Sequence, residues 1–235
     1  MLHRWEELTF LHWSFEPATV QRLLPAGLEV DTFDGRAWVG LVPFRLRVTV
    51  PGVPYLPWIG RCPETNVRTY ARTADGVPAV WFLSLDASRL AAAVYGRAYG
   101  LPYAWAQMRL QRVRGVVRYA SRRRWPGAGP GLRATVLVGP RYRPDDLTEL
   151  DRFLTDRWAL FTRRNGGLAV APASHDPWPL HRARAFHLRQ DLLDAAGLPP
   201  PDGPPLLHFS PGVAVRVGGV QGSAQWAPSS STATT

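Results

Sequence analysis

The stretch Pro63-Glu64-Thr65-Asn66-Val67-Arg68-Thr69-Tyr70 constrains the fold more than any other, because it demands a sheet with two unlike faces. Successive side chains of a β-strand point to opposite sides, so Glu64, Asn66 and Arg68 share one face while Thr65, Val67 and Thr69 share the other. A carboxylate, an amide and a guanidinium in a row make a poor core face and a good polar floor for a small charged ligand. A solvated outer face of an antiparallel strand gives the same alternation, so this strand alone leaves both readings open. The rest of the chain points toward a site.

With 235 residues and 46% apolar composition the chain is long enough for one sizeable core. We expect a single domain over residues 1–220 and a disordered tail over 221–235, whose end Ser-Ser-Ser-Thr-Ala-Thr-Thr has too little apolar content to order itself. The lone cysteine, Cys62, excludes an internal disulfide framework and fits a reducing compartment. Acidic residues interrupt the opening Met-Leu-His-Arg-Trp-Glu-Glu, and no later segment supplies about 18 consecutive apolar residues. A cytoplasmic protein without a membrane partner is expected.

The formal charge of +10 comes from arginine alone, since all 28 basic residues are arginine and lysine is absent. A lysine Schiff base is therefore impossible on this chain. Arg109, Arg112, Arg114, Arg118, Arg122, Arg123 and Arg124 fall in one run, followed by Trp125. This run reads as two strands with a solvated arginine face. Nucleic-acid binding through phosphates or stacked bases is the less favoured alternative, because neither zinc-finger spacing nor the aromatic signature of an RNA-binding sheet is present.

Strand patterns recur at Leu8 to Phe15, Leu28 to Asp31, Ala37 to Phe44, Glu64 to Arg72, Val80 to Leu85, the arginine run, Leu132 to Val138 and Leu206 to Val217. The turns Asp34-Gly35 and Asp75-Gly76 separate neighbours, the first predicting a β-hairpin. Helices are predicted over Ala18 to Leu24, over Ser88 to Tyr99 with stop signals at Gly100 and Pro102, and over Asp145 to Phe161. Pro51 to Pro63 reads as a rigid loop able to cover a pocket. No period of 20 to 50 residues repeats. The fold class expected is mainly β (α+β), an antiparallel architecture with a few short helices.

The segments LTFLHWSF, LLPAGLEVDTFDGRAWVGLVPF, PETNVRTYAR, WFLSLDAS, YGRAYGLPYAWAQM, FLTDRWALF, SHDPWPLHRA and LHFSPGV, in that order, resemble the YqjF-like uncharacterised family, the domain of unknown function 2071. That family is similar in turn to the acetoacetate decarboxylase-like superfamily. The resemblance implies a large curved antiparallel sheet closing into a barrel around a pocket. In the superfamily a helix ends in a Gly-Arg-Glu-like turn and a Pro-Lys pair follows, the lysine forming the Schiff base. Here the stretch is Gly96-Arg97-Ala98-Tyr99-Gly100-Leu101-Pro102-Tyr103, so Tyr103 stands where the lysine would and Ala98 where the acid would. The superfamily's strand glutamate matches Glu64. The resemblance implies fold and pocket without Schiff-base decarboxylation.

The remaining chemistry follows from residue types. Tyr103 beside a cation such as Arg68 or Arg97 is expected to titrate below its ordinary value near 10 and to serve as acid or hydrogen-bond donor. Glu64 becomes a general base if burial raises its pKa. Asn66 and Arg68 can hold a carboxylate or enolate oxygen. These assignments make Glu64, Arg68 and Tyr103 the catalytic candidates, with His12, Asn66, Arg97, Tyr119 and Ser121 as ligand-binding candidates. A packed Tyr103 ring, a core His12 bonded once, and cross-strand packing of Tyr119 and Ser121 are the structural alternatives. Cys62 without a histidine partner reads as inert. His175, His181 and His187 recur every six residues, which on a strand separates them by about 20 Å per step, so no metal site is expected; nor is any other cofactor. There is no Gly-x-Ser-x-Gly elbow and no phosphate-binding glycine loop. Two classes remain. One is an enzyme working by proton transfer on a small organic acid or carbonyl compound, such as a lyase, hydratase or cyclase; the other is a non-catalytic binding protein. Self-association into a homo-oligomer is left open.

Overall fold

The computed structural model describes residues 2–49, 60–127, 129–164 and 166–222. Most of the loop expected to cover a pocket lies outside these. The first half of the chain forms β1 (Leu2–Phe15), α1 (Pro17–Gln21), β2 (Leu28–Val30), β3 (Thr32–Phe33), β4 (Arg36–Thr49), β5 (Arg61–Thr73), β6 (Pro78–Ala87) and α2 (Leu90–Ala98). Then come β7 (Tyr103–Val113), β8 (Val116–Trp125), β9 (Gly131–Arg141), α3 (Glu149–Thr155), β10 (Ala159–Arg164), β11 (Gly167–His175) and β12 (His181–Gln190). Helix α4 (Leu192–Ala195), β13 (Leu206–Val217) and β14 (Gln221–Gly222) complete the described chain. The protein is mainly β with a few short helices, as its sequence predicts.

Pairings run β6-β7-β8-β9-β12-β13-β1-β4-β5, and β5 pairs with β6 again, so they form a ring. A second path runs from β6 through β10 and β11 to β13. Strands β13, β1, β4, β5 and β6 belong to both paths. Their central residues are accordingly buried on both faces, as the unbroken burial of β5 from Glu64 to Ala71 shows. This accounts for the near-continuous apolar runs of β1 and β4. By contrast, β7, β8 and β9 alternate between buried and exposed residues.

Four expectations are corrected. The sheet is not wholly antiparallel, because β6 pairs parallel with both β7 and β10; α2 supplies the crossover that a parallel pair needs between β6 and β7. The pattern over Asp145 to Phe161 is not one helix. Thr148 and Asp151 build a capping box that starts α3 late, and the chain leaves the helix at Asp156 so that Ala159 and Phe161 enter β10. At Asp34-Gly35, where both φ angles are positive, the hairpin joins β3 to β4, whereas β2 pairs with β5. Gln221 and Gly222 pair with β11, so regular structure runs past the expected boundary of the tail.

One apolar cluster fills one side of the shared strands, with Leu11, Leu41 and Val67 against Val117, Tyr119 and Val136. On the other side, Phe10, Val42, Phe44 and Cys62 pack against Trp178, Leu180 and Val213. Among the described residues no helix is long and apolar enough to cross a membrane.

Candidate functional site

Strand β5 sits between β4 and β6, and the register sets Glu64 opposite Phe44, Asn66 opposite Val42 and Arg68 opposite Gly40. Glu64, Asn66 and Arg68 are only 4%, 6% and 8% exposed, which removes the solvated-face alternative.

Tyr103 reaches this face through a local device. Helix α2 ends in a Schellman motif in which Gly100 (φ +77°) donates to the Arg97 carbonyl and Leu101 donates to the Gly96 carbonyl. A side chain at Gly100 would place Cβ 1.8 Å from the Arg163 carbonyl oxygen, and one at Gly96 would place it 2.2 Å from the Tyr103 ring. Two glycines thus make room for the turn and the ring. The Tyr103 hydroxyl then donates to Glu64 Oε2 at 3.1 Å.

Burial pushes the Glu64 carboxyl up to about 8; the Tyr103 hydrogen bond opposes the rise and Asp86 adds to it. Burial, with Glu64 and Cys62 as neighbours, holds the Tyr103 phenol well above its ordinary value. This corrects the expectation that a cation would lower it. Arg97 spends one Nη1 hydrogen bond on the Tyr103 carbonyl oxygen, at 2.6 Å, and covers the Trp125 ring, while Arg68 points elsewhere. Tyr103 is therefore a hydrogen-bond donor. The Cys62 thiol is pushed up to about 12 by burial and by Glu64.

Arg68 is fixed over Phe10, its guanidinium carbon 5.3 Å from the ring centroid, and donates through Nη2 to the Leu154 carbonyl at 3.2 Å and to the Tyr70 hydroxyl at 3.5 Å. It has no carboxylate partner among the described residues. Tyr70 gives its one proton to the Leu154 carbonyl, at 2.6 Å, so His12 Nε2 must donate to the Tyr70 oxygen at 2.7 Å. Burial, Arg68 and His208 hold His12 well below its ordinary pKa, hence neutral, with Nδ1 as the bare nitrogen. Gly40 lies between His12 and Arg68 across the strands, and a Cβ there would come within 2.9 Å of His12 Nε2.

His208, opposite Phe10 on β13, donates to Asp151 Oδ1 at 2.8 Å. Burial alone would raise Asp151, but its bonds from His208 and from the Thr148 backbone and hydroxyl hold the carboxyl at about 2. Four buried atoms of this face have no partner among the described residues: Asn66 Oδ1, Arg68 Nε, His12 Nδ1 and His208 Nδ1.

Tyr119 and Ser121 stand apart from Glu64. The Tyr119 hydroxyl donates to the Glu7 carbonyl at 2.7 Å and lies 2.9 Å from Thr9 Oγ1, within the cluster that contains Val67. Ser121 Oγ is buried with no partner among the described residues. Arg97 lines an open cleft of about 480 Å³ with Trp81, Pro102 and Arg163, behind the Tyr103 turn. His175 and His181 bond to backbone carbonyls, and no metal-binding group of three His, Cys, Asp or Glu side chains occurs among the described residues. Sequence reasoning missed Tyr70, His208 and Asp151. Tyr70 continues the period of Glu64, Asn66 and Arg68 and was available from that signal; the His208–Asp151 contact joins distant segments and carries none.

In solved structures this chain is similar to the acetoacetate decarboxylase-like enzyme of Sphingomonas wittichii RW1, with a TM-score of 0.66 and 16% identity, covering 94% of this chain and 92% of that one. It is similar also to the enduracididine biosynthesis enzyme MppR complexed with pyruvate, with a TM-score of 0.64 and 15% identity over 94% and 89% of the two chains. These likenesses carry the fold alone. The uncharacterized protein YqjF of Bacillus subtilis (strain 168) is 31% identical over 212 residues, 89% of this chain and 87% of its own length. With residues 3–214 also matching the model of an uncharacterized conserved protein family, the domain of unknown function 2071, the chain belongs to that family.

Proposed function

We propose that the Glu64–Tyr103 pair is the acid–base element of an enzyme acting on a small carbonyl or carboxylate compound without Schiff-base chemistry. The ring of strand pairings is read here as an acetoacetate decarboxylase-like barrel enclosing the pocket. The observation that carries the proposal is the part-buried hydrogen bond between Tyr103 and a buried carboxyl whose pKa stands near 8. Such a carboxyl exists in both forms close to neutral pH, so it can take a proton from carbon beside a carbonyl and return it. Tyr103, kept protonated, donates to oxygen that gains charge, and Asn66 and Arg68 hold the carboxylate. Pyruvate in the complex of the similar MppR fits this ligand class. A lyase, hydratase or cyclase step is compatible with these parts.

The test is deuterium exchange at carbon beside the carbonyl of pyruvate and other 2-oxo acids in heavy water, followed by NMR. Exchange is expected with the native chain and lost with Glu64→Gln. Saturable binding without exchange by any acid tested would favour the non-catalytic binder. Borohydride treatment in the presence of acetoacetate should leave no adduct on a lysine side chain, since none exists.

A further inference from the structure

Strands β7, β8, β9 and β12 lie side by side, with one face turned to solvent. No aspartate or glutamate occurs in any of the four. Exposed arginines are spread over all of them: Arg109 on β7, Arg118 and Arg122 on β8, Arg133 on β9, Arg184 and Arg189 on β12. None of these six makes a salt bridge among the described residues, whereas Arg112 and Arg123, which also belong to these strands, pair with Glu7 and Asp86. Arg133 and Arg189 stand directly opposite one another in the register, an arrangement of like charges that destabilises a sheet. Asp191, just past β12, is bonded to the Gly131 backbone.

We infer that this face binds the phosphate backbone of a nucleic acid, without reading bases. Neighbouring strands are about 4.8 Å apart and alternate residues about 6.7 Å apart along each, so the six guanidinium groups are spread over one continuous face. A duplex presents one negative charge per about 1.7 Å of its axis, and arginine meets phosphate through two parallel donors. The match is one of charge density over a continuous face. A lipid surface fits less well, because the exposed apolar residues of these strands fall in two separate groups, Trp105 and Trp125 paired at one end, where Arg97 covers the Trp125 ring, and Val113, Leu137 and Phe186 toward the other, where Arg184 covers the Phe186 ring, whereas membrane binding needs a continuous apolar face. An acidic protein would need a desolvated central anchor, and the centre of this face, at Arg109, Ala120 and Arg133, holds no large apolar side chain.

The experiment is fluorescence anisotropy with a 20-base-pair DNA duplex across a salt series, using the whole chain. Binding is expected at 50 mM salt, with log K falling against log salt at a slope of about −5 if all six arginines engage. The triple substitution Arg118→Ala, Arg122→Ala, Arg133→Ala should flatten that slope by about 2.7 and weaken binding about tenfold or more at 50 mM salt. A matched control, Arg22→Ala, Arg61→Ala, Arg216→Ala, removes the same net charge from exposed positions elsewhere and should change binding less than about threefold. Equal losses from both triples would reduce the effect to net charge and overturn the inference. So would absence of duplex binding at 50 mM salt, or binding to phosphatidylserine vesicles in place of the duplex.

Discussion

The two faces of β5 carry opposite kinds of interior. On one, Val67 is fully buried among Leu11, Leu41 and Val117, and the Thr69 hydroxyl donates to the Trp38 carbonyl at 2.9 Å. On the other, Glu64, Asn66, Arg68 and Tyr70 are buried with His12 and His208 close by, and several of their polar atoms lack partners. A buried donor or acceptor left unmade costs about 1–3 kcal/mol, so the second face is not arranged for stability. Among the described residues, His3 Nε2, Trp38 Nε1, Asp86 Oδ2 and Ser121 Oγ are buried without partners as well. A single strand thus buries small, apolar and hydroxyl side chains at its odd-numbered positions and larger polar and ionisable ones at its even-numbered positions.

Titration of Glu64 should separate the faces most strongly. Its carboxyl stands near 8 in the folded chain against an ordinary 4.5, so between these values the folded state binds the proton that the unfolded state has released. Stability from this group is therefore lost as pH rises from about 4.5 to 8, by an amount on the order of 5 kcal/mol. Thermal unfolding of Glu64→Gln across that range should show a flatter profile than the native chain; identical profiles would break the contrast. On the apolar face, Leu41→Ala should cost about 3 kcal/mol in denaturant unfolding and leave the pH profile of ligand binding unchanged. A shifted profile would mean that the two faces are coupled.

Tyr103→Phe removes one hydroxyl and its bond to Glu64, and should weaken ligand binding or turnover by about 1–3 kcal/mol while costing about 1 kcal/mol of stability. The reverse pattern, lost stability with intact binding, would return Tyr103 to a packing role. Smallest is Tyr119→Phe, which deletes the bond to the Glu7 carbonyl and should cost about 1 kcal/mol of stability, with ligand affinity unaltered. A loss of affinity there would bring Tyr119 back into the site.

Period-2 alternation made the polar row of β5 legible, because geometry along one strand is local. Gly100 and Pro102 likewise marked the end of α2, since a left-handed turn is a property of its own residues. The helix over Asp145 to Phe161 misled because Leu147, Leu150, Leu154 and Phe161 satisfy a helical period, while the capping box at Thr148 and the pairing of β10 with β6 override it. Tyr119 and Ser121 share a strand face with one another, yet which side of the shared sheet that face meets depends on strands far away in the chain.

By itself the sequence determined that this chain is mainly β, that Glu64, Asn66 and Arg68 share one side of one strand, and that no lysine can form an imine. Tertiary structure alone decided that this side is buried, that Tyr103 reaches Glu64 past Gly96, and that His12 bonds to Tyr70 while Tyr70 and Arg68 meet the Leu154 carbonyl. The division has a physical cause. Alternation and turn conformation depend on neighbouring residues, whereas burial, and with it the raised pKa of Glu64, depends on which distant strands close over a face and exclude water.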